Sequence, residues 1–150
     1  RGEGTEQTVD TDLTALIEDV VGNARREGAS VELTAEPQMV VPLRPDAFRR
    51  CLSNLVANAQ RYARRVAVAA VRRGGAIEIT VDDDGPGVPP ERREDVFRPF
   101  FRLDPSRNPE TGGIGLGLTI ARDVARSHGG DLTLDESPFG GLRARVRLPV

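Results

Sequence analysis

The run Ile77-Glu78-Ile79-Thr80-Val81, continuing into Asp82-Asp83-Asp84-Gly85-Pro86-Gly87, constrains the fold more than any other stretch of the chain. Side chains of a strand alternate between its two faces. Ile77, Ile79 and Val81 therefore share a buried face, and the next residue on that face is Asp83, with Asp82 and Asp84 turned the other way. A carboxylate aimed into apolar surroundings is costly unless something satisfies it. Gly85 and Gly87, lacking side chains, let a ligand or another backbone come close. A strand that carries one acid to the floor of a pocket and then opens into a glycine turn reads as a binding site. The same residues also suit a tight turn capped by its own aspartate, and this segment alone leaves both readings open.

The rest of the composition describes an ordinary soluble domain. The 150 residues, 38% hydrophobic and 29% charged, suffice for one domain with a real core. No apolar run approaches the roughly 18 residues of a membrane span, and no signal peptide is expected. Net charge is −2, so nothing in the overall balance argues for a nucleic-acid or membrane surface, and no nucleic-acid partner is expected. All 21 basic residues are arginine, a bias from which no function is drawn. Cys51 has no second cysteine to pair with and, among apolar neighbours, reads as a small core residue.

Residues 1–8 are read as a linker or cut end, within which Gln7 begins a short strand reaching Asp10, and residues 9–150 as one domain. Leu13, Leu16, Ile17, Val20, Val21 and Ala24 form one stripe of an amphipathic helix, capped by Asp10 or Asp12 and ending near Gly28. Residues 31–35 and 38–42 are strand candidates joined at Glu36-Pro37. After Pro45 a second helix runs to about Arg64 on the stripe Phe48, Leu52, Leu55, Ala59. Residues 66–71 and 76–82 read as a hairpin around Arg72-Arg73-Gly74-Gly75. Residues 98–113 form a long aperiodic run rich in Pro, Gly and Arg, the mark of a lid. A third helix spans about Leu116 to Ser127. In the last strand Leu142, Ala144, Val146 and Leu148 face inward while Arg143, Arg145 and Arg147 face water. This order predicts a two-layer α/β (α+β) sandwich: a mixed, mainly antiparallel sheet with three helices on one face.

Two further groups carry chemistry. Asn54 and Asn58 lie one turn apart on the second helix, off its apolar stripe, with Arg61 and Tyr62 a turn later. Amide oxygens suit a hard cation such as Mg²⁺, which fills most of its shell with phosphate and water. Arg61 suits a phosphate and Tyr62 offers a flat face to a base, although a solvated polar stripe has the same composition. The run Gly112-Gly113-Ile114-Gly115-Leu116-Gly117-Leu118 leads straight into a helix, whose N-terminus and exposed backbone N–H groups make an anion cradle. It is neither a Walker loop, lacking Lys-Ser/Thr, nor a Rossmann turn, since no strand precedes it.

In order, Asn54-Leu-Val-Ala-Asn58-Ala-Gln-Arg-Tyr62, Asp83-Asp-Gly85-Pro-Gly87, Phe97-Arg-Pro-Phe100 and Gly113-Ile-Gly115-Leu-Gly117-Leu118 resemble the N, G1, F and G2 boxes of sensor histidine kinase catalytic domains, and within them the EnvZ- and PhoQ-like group. The resemblance covers roughly Val9 to Val150 and implies a Bergerat-type ATP-binding fold of the gyrase–chaperone–kinase–MutL superfamily. It implies ATP and Mg²⁺ as ligands. Asp83 would accept a hydrogen bond from the adenine amino group. Asn58 would hold the metal and Tyr62 stack on the base. The glycine run would cradle the phosphates, and Phe97 and Phe100 would anchor the start of the lid, unless they are plain packing residues.

The matching position of Asn54 is a glutamate in the hydrolytic branches and in serine-kinase anti-sigma factors. An amide has no comparable basicity, so the resemblance implies slow hydrolysis and transfer of the γ-phosphoryl group to a histidine. His128, in Arg126-Ser127-His128-Gly129-Gly130, lacks an acceptor's surroundings and reads instead as a helix C-terminal residue favoured by the dipole. The expected acceptor therefore lies on a separate dimerisation domain, with a response regulator further on. The domain by itself would be monomeric and cytoplasmic, its parent protein membrane-anchored. Lid residues Arg102 and Arg107 are either charge-neutralising contacts to the phosphoryl group or solvated loop charges. The alternatives are a serine-kinase anti-sigma factor or a non-catalytic scaffold on the same fold.

Overall fold

A computed structural model describes residues 6–98 and 114–150. The elements in chain order are β1 (Val9–Asp12), α1 (Leu13–Arg26), β2 (Val31–Ala35), β3 (Val40–Leu43), α2 (Pro45–Tyr62), β4 (Val66–Arg73), β5 (Ala76–Asp83), α3 (Ile114–Ser127), β6 (Asp131–Glu136) and β7 (Leu142–Pro149). Short 3₁₀ turns at Pro90–Arg92 and Asp95–Phe97 follow β5. The main sheet has the order β2-β4-β5-β7-β6, parallel only between β2 and β4. The mixed, mainly antiparallel sandwich is thus as expected. The two candidate strands flanking Glu36-Pro37 do not pair with each other: β2 edges the main sheet, while β3 pairs with β1 in a separate antiparallel ribbon.

The stripes explain the layering. Leu13, Leu16, Ile17, Val20 and Val21 of α1, and Phe48, Leu52, Leu55 and Ala59 of α2, are buried with Leu118, Ala121 and Ala125 of α3 against Val68, Ile77, Ile79, Val81 and Val146 of the sheet. Asp12 caps α1 by accepting the Ala15 N–H at 3.0 Å, which settles the choice between Asp10 and Asp12.

Helix α2 starts without a side-chain cap of its own, because its N-cap residue is Arg44. Pro45 has no N–H to satisfy. The N–H groups of Asp46 and Ala47 donate instead to the two carboxylate oxygens of Glu6, at 2.7 and 3.0 Å. The pairing of Val9 with Leu43 puts Glu6 there, since three more steps of the antiparallel register bring it opposite Asp46.

The outer sheet face corrects one expectation. Of the three β7 arginines only Arg147 is exposed; Arg143 and Arg145 are half-buried in ion pairs with Asp82 and Asp135. Antiparallel pairing places opposite charges on neighbouring strands, and each pair covers the backbone beneath it.

Candidate functional site

Asp83 ends β5 facing the core and is only 5% exposed. Its Oδ1 accepts two backbone N–H groups, from Gly85 at 2.9 Å and from Leu142 at 3.1 Å. Among the described residues Oδ2 takes no hydrogen bond and no cation pairs with the group. Burial pushes the carboxyl above the ordinary aspartate value, and the two N–H groups only partly oppose this. The acid therefore has one oxygen fixed by the protein and strong remaining capacity to accept from a ligand.

Its neighbours are spent differently. Asp84 accepts from the backbone N–H groups of Arg64 and Arg65, both at 2.9 Å, which lowers its pKa. Asp82 does face away from Asp83, yet it is buried, in a two-pronged pair with Arg143 at 2.8 and 2.9 Å.

Glycine is required where the turn closes. A Cβ on Gly85 would lie 2.6 Å from the Tyr62 carbonyl oxygen, and one on Gly141 only 2.3 Å from Asp83 Oδ1. The Gly141 N–H also donates to the Asp83 carbonyl at 3.2 Å. Gly141 and Leu142, which hold the acid from behind, escape a local reading of the chain. The available signal was the pair Gly140-Gly141 directly before an alternating strand.

Gly85 brings the end of α2 to the β5 turn. A cavity of about 470 Å³ opens there, lined by Arg61, Tyr62, Ala63, Arg64, Asp84, Gly85 and Pro86. Tyr62 lines it while also packing against the core, so the ring is anchored rather than on a free polar stripe. The helix ends at Tyr62, two residues before the expected Arg64. Asn54 and Asn58 are half-buried on the same helix. A Cβ on Gly117 would sit 3.9 Å from Asn54 Cβ, so Asn54 and Gly117 meet where α2 packs on α3.

Helix α3 begins at Ile114, two residues earlier than expected, so Ile114, Gly115, Leu116 and Gly117 form its first turn. Leu118 is fully buried in the core, which leaves only its backbone to face a ligand. Phe97 is buried, with the Arg122 guanidinium 4.0 Å from its ring centroid, and its carbonyl accepts from Thr119 Oγ1 at 2.6 Å. It ties the start of the 98–113 segment to α3 by packing. Gly112, Gly113, Phe100, Arg102 and Arg107 lie outside the described residues.

His128 corrects another expectation. Its Nδ1 lies 2.7 Å from the Val124 carbonyl and donates to it, while Nε2 accepts the Arg44 N–H at 3.0 Å. Its edge also packs on Phe48, and burial lowers its pKa. The ring is a neutral staple between the end of α3 and the start of α2, not a cation favoured by the helix dipole. Cys51 is a buried core thiol, pushed up to about 12 by desolvation. Among the described residues no three His, Cys, Asp or Glu side chains gather as a metal cluster, and no helix is long and apolar enough to cross a membrane.

Comparison with known proteins agrees with this geometry. The histidine kinase-, DNA gyrase B- and HSP90-like ATPase family matches residues 43–150. The chain is 39% identical over 144 residues to sensor histidine kinase GtrS of Pseudomonas aeruginosa, covering 96% of this chain and 29% of that protein. It is 47% identical over 107 residues to sensor histidine kinase CpxA of Escherichia coli, covering 71% of this chain and 23% of that one. The chain thus spans less than a third of the length of these relatives. The crystal structure of the ATP-binding domain of PrrB from Mycobacterium tuberculosis superimposes with a TM-score of 0.79 at 32% identity, over 96% of this chain and 98% of that one. An inward acid before a glycine turn, an asparagine-bearing helix beside it and this match over most of the chain lead to one conclusion: the chain belongs to the histidine kinase-, DNA gyrase B- and HSP90-like ATPase family, as an ATP-binding domain of the sensor histidine kinase type.

Proposed function

We propose that this domain binds Mg-ATP and donates its γ-phosphoryl group to a histidine on a separate dimerisation and acceptor domain, within a two-component sensor kinase that signals to a response regulator. The domain would work on the cytoplasmic side of the membrane. The observation that carries the nucleotide assignment is the Asp83 carboxylate, buried, with Oδ1 held by Gly85 and Leu142 beside a cavity walled by Tyr62. Adenine presents an amino donor to such an acceptor, whereas guanine presents a carbonyl oxygen that a carboxylate repels. Tyr62 stacks on the base. Arg61, with Ile114 to Leu118 at the start of α3 and Gly113 before them in sequence, receives the phosphates.

The donor set fits Mg²⁺: an amide oxygen from Asn58, with no cluster of metal-ligating side chains among the described residues, suits an ion that keeps phosphate and water in its shell. Bound with the nucleotide, the ion supplies charge neutralisation on the phosphates. In transfer, the acceptor imidazole nitrogen attacks the γ-phosphorus, the bond to the β–γ bridging oxygen breaks, and that oxygen leaves on ADP. Arg61 and the lid residue Arg102 offset charge on the transferring group. Asn54 orients rather than activates, since an amide cannot take the proton of a water. ATP therefore persists until the acceptor supplies proximity.

The test has two parts. Calorimetry should show ATP and ADP binding, much weaker GTP binding, and a Mg²⁺ dependence that Asn58→Ala removes. Labelled phosphate should stay on ATP when this chain is alone and move to the cognate acceptor domain when the two are mixed. Equal affinity for GTP, label on His128, or brisk hydrolysis by the chain alone would each overturn the reading.

A further inference from the structure

Asp82 and Asp83 are consecutive, both nearly fully buried, and on opposite faces of β5. Asp82 stands opposite Arg143 in the β5–β7 register, and the guanidinium grips both its oxygens through Nε and Nη2. One residue before Arg143, the Leu142 N–H donates to Asp83 Oδ1; one residue further back, the Gly141 N–H donates to the Asp83 carbonyl. The ion pair thus fastens the rung of the sheet from which the backbone donors reach Asp83. A two-pronged guanidinium–carboxylate pair fixes distance and angle together, which a single-point contact does not.

We propose that the Asp82–Arg143 pair is a positioning clamp for Asp83: acting from the far face of the sheet, it holds the start of β7 where Leu142 occupies Oδ1, so that Oδ2 stays available to the adenine amino group. The proposal rests on the nucleotide reading above for its ligand. The clamp itself touches no ligand, and neither Asp82 nor Arg143 lines the cavity beside the turn.

The clamp also sets the charge around Asp83. The charged groups acting on it are Asp84 and Asp82 on its own segment, and Arg143 on β7 stands behind Asp82. Burial raises the Asp83 pKa, the Leu142 and Gly85 N–H groups oppose this, and the charges of Asp84 and Asp82 add smaller upward pushes. Charge alone would make the two partners act on Asp83 in opposite directions, whereas loss of the Leu142 N–H on breaking the clamp from either side acts in one.

The experiment follows the Asp83 carboxyl by ¹³C NMR through a pH titration of the 150-residue chain, alongside ADP affinity. Asp82→Asn and Arg143→Gln should both move the Asp83 midpoint to higher pH, because each releases the Leu142 N–H, whose effect on Asp83 exceeds that of the Asp82 charge. ADP affinity at neutral pH should fall by about 3- to 10-fold in Arg143→Gln, with partial recovery in Arg143→Lys. Arg145→Gln, which breaks the neighbouring pair with Asp135, is the control and should change ADP affinity less than about twofold. If Arg143→Gln does not fold, the direction of the Asp82→Asn midpoint decides. Midpoints that stay put, or that move in opposite directions as the two charges alone would drive them, or an equal loss of affinity in Arg145→Gln, overturn the clamp. A wild-type chain that binds no adenine nucleotide overturns the nucleotide reading instead, and the titration still judges the clamp.

Discussion

The two ends of α2 are built on opposite principles. At its start every donor of the first turn is accounted for: the Arg44 N–H by His128, Pro45 by having none, and the Asp46 and Ala47 N–H groups by Glu6. At its far end, Asn58, Arg61 and Tyr62 lead to a cavity and to an acid with a whole oxygen uncommitted among the described residues. A helix usually needs its first turn satisfied to be stable. Closing one end with groups from distant segments leaves the other to border the cavity and the Asp83 turn. Under the proposed function the open end receives the nucleotide, so substitutions at the two ends should separate binding from stability.

The largest effect belongs to Asp83. Asp83→Ala should weaken ATP binding by about 10- to 150-fold, the worth of a charge-assisted hydrogen bond of roughly 1.5–3 kcal/mol. Asp83→Asn should lose affinity too, because one adenine donor then meets an amide, while thermal stability stays level or rises. The sign follows from linkage: the folded-state pKa is raised, so at neutral pH the buried carboxylate costs stability, and that cost is relieved as pH falls through the raised value. Calorimetry paired with thermal melts at pH 7 checks this. A large drop in stability for Asp83→Asn would mean that the acid is a structural turn residue after all.

Gly141→Ala comes next and blurs the comparison deliberately, since it strikes the site through its support. The added methyl overlaps Asp83 Oδ1, the Asp83 carbonyl and the Gly85 N. Overpacking of this kind costs about 1–3 kcal/mol of stability, and nucleotide affinity should fall with it. Urea denaturation and an ATP titration on the same preparation measure both.

At the closed end, His128→Gln should lower stability by about 1–2 kcal/mol, because the Arg44 N–H and the Val124 carbonyl lose well-placed partners. Burial depresses the folded-state pKa of His128, so the unfolded chain takes up the proton first. Stability should therefore fall as pH drops below about 6.5 and level off beneath the depressed value. That decline should shrink in His128→Gln, as followed by urea midpoints between pH 7 and pH 5. The smallest effect is Glu6→Ala: loss of the α2 cap, about 1 kcal/mol, with ATP affinity unchanged. Faster hydrogen exchange at Asp46 and Ala47 would mark it, and a large loss of ATP affinity would break the division between the two ends.

Much of the site was legible because it is encoded locally. The β5 alternation turned Asp83 inward, and the i, i+4 spacing put Asn54 and Asn58 on one helical face. His128 does end its helix, but the reading that the dipole favours it missed its neutral state. Val124 of its own helix holds only Nδ1, and the Arg44 N–H that occupies Nε2 comes from the start of α2. The β7 arginines were assigned to water for a similar reason: alternation tells which face a side chain takes, but not whether a carboxylate on the next strand waits there.

The sequence by itself determined the periodicities that make three helices and a mixed sheet, the inward acid before a glycine turn, and the ordered motifs that mark the family. These are matters of neighbouring residues, and the chain's own geometry enforces them. Only the tertiary structure decided which groups complete each local pattern. Leu142 reaches Asp83 across 59 positions, Glu6 caps α2 across 40, and His128 meets Arg44 across 84. Hydrogen bonds act over about 3 Å, so a residue's charge state and free valence depend on what the folded path brings beside it, and no window along the chain contains that information.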